Sequence, residues 1–190
     1  MTGDKLAELF NRLGRLSAAS KEKAGTETAW TYTDPDGQTH RYVVRGVKSH
    51  SEMEDDILNV IVWIWNAKDY LRKRAKDTGK NPEMVNEAIK LNPYLSALSD
   101  LANGLKHGEF KNHALGKISF TVPGRAVKSI TLGAPRQVET DIANPSLVEY
   151  RLPISDQTGK QVGDAFEYAE RAIAALECIR DTIEEPGSQL

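Results

Sequence analysis

Ile57-Leu58-Asn59-Val60-Ile61-Val62-Trp63-Ile64-Trp65 is the stretch on which the fold turns. Taken alone, its β-branched and aromatic residues suit a buried strand as well as the middle of a helix. The flanks decide. Ser51 with Glu54 three residues on makes a capping-box pattern, Asp55 and Asp56 suit a first turn, and Asn66 to Lys76 continues in helix-favouring residues. Residues 51–77 therefore read as one long helix. Its apolar circumference implies a central position, covered on most sides.

On the N-terminal side, Ala29 to Tyr32 and Arg41 to Arg45 flank Asp34-Pro35-Asp36-Gly37, so residues 28–47 predict a β-hairpin. Before it, Leu6, Leu9, Phe10, Leu13 and Leu16 mark a first helix over 4–18 with Asp4 as its cap, and 19–27 read as a loop. On the C-terminal side, Asn81-Pro82 opens a helix, Asn92-Pro93 interrupts it, and a second piece runs from Tyr94 to His107 and stops at Gly108. Short strands are expected at Ile118 to Val122, Val127 to Leu132, Gln137 to Ile142 and Leu147 to Leu152, with Pro153 marking an edge or a strand end. A last helix is expected over 161–184, with Val162, Phe166, Ala169, Ile173, Leu176 and Ile183 as its stripe, followed by a frayed tail at Pro186-Gly187-Ser188. The class is α+β. It is mainly a helical bundle (about 4–18, 51–107 and 161–184) with a β-hairpin (28–47) and a small antiparallel sheet (117–154) appended, in one domain over 1–190.

Bulk properties narrow the function. A chain of 190 residues with net charge −2 and 27% charged residues has no global basic field, so any nucleic-acid contact would be a local patch. Cys178 is the single cysteine, which favours a reducing, cytoplasmic setting, and it reads as a small, partly buried apolar residue. The start, Met1-Thr-Gly-Asp-Lys, carries no secretory pattern, and the run 57–65 is far short of the ~20 residues that span a bilayer. His40, His50, His107 and His113 lack zinc-ligand spacing, so neither a metal nor a cofactor is expected. Glycine-rich phosphate loops and the Gly-x-Ser-x-Gly elbow do not occur.

The candidate chemistry lies at the end of the helix over 94–107. Leu95, Leu98, Leu101, Ala102 and Leu105 form its apolar stripe, and Ser96, Asp100, Asn103 and His107 fall on roughly the opposite side. A carboxylate can orient an imidazole that exchanges protons near neutral pH, and an amide can steady a phosphate. The same residues also suit a wet helix end, where Lys106 and His107 offset the dipole. Two features favour a site. Gly104 sits inside the helix, where something approaches closely, and Asn103 is a poor helix former with no capping role. Asp69, one turn beyond Trp65, would meet the Lys106/His107 end if the two helices pack antiparallel in register, and otherwise forms a local ion pair. Lys68, Arg72, Lys73, Arg74, Lys76 and Lys80 form a basic run that either grips phosphates or is a solvated helix end.

Trp65, Asp69, Tyr70 and Leu71, followed by Asp100, Asn103, Gly104, Lys106 and His107, resemble a family of uncharacterised prokaryotic and phage-associated proteins. The likeness covers about residues 55–110, and Asp156-Gln-Thr-Gly-Lys160 before the last helix is similar too. More distantly, the second motif is similar to the HEPN superfamily. Those proteins are usually dimeric helical bundles, many of them metal-independent ribonucleases with an Arg-polar-x-x-x-His motif. Asn103 and His107 match the polar residue and the histidine, while Ala102 stands where the phosphate-holding arginine belongs. The resemblance leaves two functions. One is a non-catalytic intracellular module, a homodimer, that binds a protein partner, nucleotide or RNA through the Asn103/His107 face, with Asp100, Asp69 and Arg72 as further binding residues. The other is a HEPN-like ribonuclease or toxin in phage defence. There His107 would act in general acid–base catalysis, with Asn103 and Lys106 steadying phosphate. A third reading has these polar residues only fixing helix packing.

Overall fold

The computed structural model describes residues 4–134 and 136–185. Among them the helices are α1 (Lys5–Lys21), α2 (His50–Asp77), α3 (Glu83–Leu91), α4 (Pro93–His107) and α5 (Ala165–Glu184). The first strands are β1 (Ala24–Thr33), β2 (Thr39–Val47), β3 (His113–Leu115), β4 (Ser119–Thr121) and β5 (Val127–Gly133). They are followed by β6 (Gln137–Ile142), β7 (Glu149–Arg151), β8 (Pro153–Asp156) and β9 (Gln161–Asp164). The class is α+β. The expected tail at 186–188 and the first three residues lie outside the described residues. Two compact units emerge. A helical unit draws on residues 4–19, 57–117 and 152–185, and a sheet unit on 20–56 and 118–151.

In the helical unit, local chemistry sets most helix ends. Asp4 Oδ1 accepts from the Leu6 and Ala7 amides at 3.0 and 3.4 Å. Asn92 Oδ1 accepts from Tyr94 and Leu95 at 3.0 Å each, with Pro93 at the first helical position. Leu6, Leu9 and Leu13 of α1, Ile57, Ile61, Ile64 and Leu71 of α2, Leu95, Leu98 and Leu101 of α4, and Leu176 and Ile183 of α5 are buried and supply the core. The middle of α2 is less enclosed than its composition suggests. Val62 is 39% exposed, and Trp63 is half-buried beneath the Arg12 guanidinium, 4.2 Å from the ring centroid. Helical period rather than residue type decides which side chains are covered.

The last helix starts later than its apolar spacing predicts. Residues 161–164 form β9, an edge of the antiparallel sheet β3-β8-β9, so Val162 lies on a strand and is 38% exposed. Asp164 ends the strand and caps α5. Its Oδ1 accepts from Phe166 N at 3.0 Å and its Oδ2 from Leu152 N at 2.8 Å. Cys178, expected to be partly buried, is exposed on α5, because it falls outside the Ala165, Ala169, Ala172, Leu176 and Ile183 stripe.

In the sheet unit, the expected hairpin forms around Gly37, whose φ of 78° suits the turn. It does not stand alone. β2 pairs in parallel with β6, which pairs antiparallel with β5, giving a mixed sheet of order β1-β2-β6-β5. β4 and β7 form a separate ribbon. The single antiparallel sheet expected over 117–154 is thus distributed among three sheets. A parallel pair joined through a long crossover leaves no local turn signal. The cap of α2 also differs from expectation. Ser49 and Glu52 form the reciprocal box, with Ser49 N to Glu52 Oε2 at 2.7 Å and Glu52 N to Ser49 Oγ at 3.2 Å, in place of Ser51 and Glu54. The Tyr150 phenol donates to the Lys48 carbonyl oxygen, and burial pushes its pKa up to about 12.

Candidate functional site

α4 carries the polar face read from the sequence, and the structure divides it. Asp100, with a side chain only 17% exposed, turns its carboxylate to the chain that follows the helix. Its Oδ2 accepts from the backbone amides of Asn112 and His113 at 3.0 and 2.8 Å, and His113 Nδ1 lies 3.3 Å away. Asn112 Nδ2 reaches Asp100 Oδ1 at 3.3 Å. The acid therefore ties down the segment leaving Gly108, where a φ of 75° ends the helix and the amide donates to Gly104 O at 2.7 Å. His107 sits two helical turns from Asp100, ~10 Å along the axis, beyond reach of that carboxylate.

Gly104 has an internal explanation as well. A Cβ there would lie 2.7 Å from Phe110 Cε1 and closer still to Cδ1. The close approach expected at this glycine is made by the chain's own Phe110 ring. Asn103 is half-buried, and Lys106 and His107 are exposed. Ala102, at the position of the family arginine, is 3% exposed and faces the core.

Asp69 belongs to a different surface. It is exposed and lines an open cleft of about 790 Å³ with Asp4, Lys5, Tyr70, Lys73 and Arg74, to which neither Asn103 nor His107 contributes. The cations of this region are mostly engaged. Lys73 meets Asp77 at 2.6 Å, Arg74 meets Glu184 at 3.1 Å and Arg72 meets Glu83 at 3.3 Å. Lys80 Nζ donates to the Glu185 carbonyl at 2.9 Å, capping the end of α5. The basic run is thus largely spent on carboxylates and a helix terminus.

A second cleft, of about 350 Å³, opens among α2, α3 and α4. Trp65 and Ile89 supply its apolar surface, Lys68 and Lys90 its positive charge, and Ser96 and Ser99 its hydroxyls. Lys68 Nζ lies 4.8 Å from the centroid of the Trp65 ring. Glu83 and Asn86 complete the lining. Asn86 Nδ2 donates to Glu83 Oε2 at 2.6 Å, whereas Asn86 Oδ1 is buried with no hydrogen-bond partner. The Asn86 amide, and after it the Arg72 charge, hold the Glu83 carboxyl below its usual range. Arg72 Nε is also buried and unpartnered, so an orphaned donor and an orphaned acceptor both belong to groups bonded to Glu83. A buried polar group without a partner costs about 1–3 kcal/mol and calls for an explanation.

Of the residues singled out from the sequence, Trp65, Lys68 and Ser96 meet in this cleft, and Arg72 braces its Glu83 wall. Glu83, Asn86 and Lys90 were not among them. The signal that could have found Asn86 is the one that drew attention to Asn103, a poor helix former in a helix interior. No group of three or more metal-ligating side chains occurs among the described residues. Comparison with protein families, with curated proteins and with solved structures found no match.

Proposed function

We propose that this chain is a non-catalytic binding module that holds a small anionic ligand, of the size and chemistry of a nucleoside monophosphate, in the cleft among α2, α3 and α4. The observation that carries the proposal is the buried, unpartnered Oδ1 of Asn86 on a cleft that also presents Lys68, Lys90, Ser96 and Ser99. A pocket of a few hundred Å³ with one aromatic wall and a few convergent polar groups suits a small ligand. The lysines and serines would take the phosphate. The torsion of an asparagine amide is broad, so a modest turn of Asn86 offers Oδ1 to an N–H or O–H of the ligand.

The Asn103/His107 face is the weaker candidate. Its carboxylate is committed to Asn112 and His113, and Ala102 offers nothing to a scissile phosphate. The ribonuclease reading retains one supporting feature, the exposure of His107 at a helix end.

Calorimetric titration with adenosine 5′-monophosphate tests the proposal. Saturable binding is expected, weakened about tenfold or more by Asn86→Leu and by Lys90→Ala, since losing a hydrogen bond to a charged or buried group costs about 1–3 kcal/mol. Unfolding measurements on both variants separate lost binding from lost fold. Absence of binding, or binding indifferent to both substitutions, overturns the proposal. So does RNA cleavage by nuclease-free protein that is abolished by His107→Ala, which would restore the HEPN-like reading.

A further inference from the structure

The wall that Glu83 and Asn86 give the cleft among α2, α3 and α4 has a fixed hydrogen-bonding polarity. Glu83 stands between two donors. Arg72 Nη2 donates to its Oε1 at 3.3 Å, and Asn86 Nδ2 donates to its Oε2 at 2.6 Å. The Asn86 amide, and after it the Arg72 and Lys90 charges, hold the carboxyl below its usual range, so it is ionised at neutral pH. An ionised carboxylate only accepts, so it can bond Asn86 through Nδ2 alone. That turns Oδ1 away from Glu83, and Oδ1 is the atom left buried without a partner. The hydrogen-bond network thus assigns the two ends of the amide, and the orphan on this wall is an acceptor.

An acceptor held in place discriminates only among ligand groups whose own polarity is fixed. A hydroxyl rotates to donate or accept, so a ribose hydroxyl gains nothing from an amide held one way round. An amine on a heteroaromatic base only donates, and a ring carbonyl only accepts. The amine fits Oδ1, whereas the carbonyl sets oxygen against oxygen. The rest of the lining agrees with that placement. Each helix presents two side chains one turn apart, Trp65 and Lys68 from α2, Asn86 and Lys90 from α3, Ser96 and Ser99 from α4. Along α3 the wall runs from the Glu83 carboxylate to the Lys90 ammonium over seven residues, about 10 Å. A phosphate toward Lys90 and a donor toward Asn86 complement this gradient, and Trp65 offers its ring to the base.

We infer that Glu83 is a positioning residue that holds the Asn86 amide oxygen toward the ligand, and that the cleft therefore selects a nucleotide whose base carries an exocyclic amine. This selectivity rests on the reading of the cleft as a mononucleotide site.

Calorimetric titration of the full chain with adenosine 5′-monophosphate and with purine riboside 5′-monophosphate, which lacks only the amine, tests it. The wild-type chain is expected to bind the adenosine nucleotide about tenfold more tightly, the effect of one hydrogen bond. Asn86→Leu removes the partner of the amine and should bring the two affinities together. In Glu83→Gln the single side-chain oxygen goes to the Arg72 guanidinium, which leaves the new NH2 group facing Asn86. Asn86 then turns over and offers Nδ2 to the ligand, so the preference for the amine should vanish. The comparison of two ligands on the wild-type chain needs no variant, and thermal unfolding checks that each variant is folded. If neither nucleotide binds the wild-type chain, the mononucleotide reading falls and the selectivity with it. Equal wild-type affinity for both overturns the selectivity alone. A tenfold preference that survives Asn86→Leu overturns the role of the amide, and one that survives Glu83→Gln overturns that of Glu83.

Discussion

Replacing Asp100 by alanine separates a structural carboxylate from a functional one. In the folded chain this side chain accepts two backbone amides, Asn112 at 3.0 Å and His113 at 2.8 Å, from a position 17% exposed. Hydrogen bonds to a charged acceptor contribute about 1.5–3 kcal/mol each when buried. Water reaches this site in part and would rescue some of the loss, so the expected cost for the pair is about 2–3 kcal/mol. In a chain of this size that lowers Tm by roughly 5–10 °C. The loss should be local in origin. Amide hydrogen exchange at Asn112 and His113 should speed up well before that of the α4 core residues Leu98 and Leu101, because the carboxylate anchors the chain leaving the helix rather than the helix itself. Asp100→Asn, which keeps one carbonyl oxygen, should fall between wild type and alanine. The test is thermal unfolding alongside exchange mapped by mass spectrometry. An Asp100→Ala variant with unchanged Tm and unchanged exchange, but with ligand binding or RNA cleavage lost, would refute the reasoning and return Asp100 to a functional site with His107.

Two further outcomes follow from packing and protonation. Gly104→Ala should destabilise the wild-type chain because its Cβ meets the Phe110 ring, whereas in a Phe110→Ala background it should stabilise by about 1 kcal/mol, the ordinary helix preference for alanine; additive effects in denaturant unfolding would contradict the contact. Burial lowers the His50 pKa, partly offset by Glu54, so the unfolded chain binds more protons just below its ordinary value of ~6.5. Stability contributed by neutral His50 is therefore full above that value and falls as the pH drops through it toward the folded pKa. His50→Gln should flatten the Tm profile between about pH 5 and 7 relative to wild type, and an identical slope would contradict the burial.

Signals confined to a few residues were legible in the sequence. Asp4, Asn92-Pro93 and Gly108 each satisfy helix-end groups with atoms at most four residues away, so their spacing alone announces them. The box of α2 shows where such spacing becomes degenerate. Ser49 to Glu52 and Ser51 to Glu54 both fit the pattern, and only the start of the helix at His50 selects the first. Pairings between distant segments left no comparable trace. The parallel β2–β6 pair joins segments about ninety residues apart, from Arg41 opposite Gln137 to Arg45 opposite Asp141. The strand β9 was hidden because Val162 and Phe166 happen to match a helical period. For the candidate site, the sequence placed Asp100, Asn103 and His107 on one helix face. It could not show that the chain returns at 112–113 to occupy the acid, nor that Asn86 on another helix would face the same cleft as Trp65.

The most direct test of the binding account is a two-dimensional ¹⁵N NMR titration of the chain with adenosine 5′-monophosphate. The account predicts saturable shifts of the Asn86 side-chain amide, the Trp65 indole N–H and the backbone of Ser96 and Ser99, with Asn103 and His107 unmoved. Shifts centred on Asn103 and His107, with Asn86 and Trp65 unmoved, would contradict it.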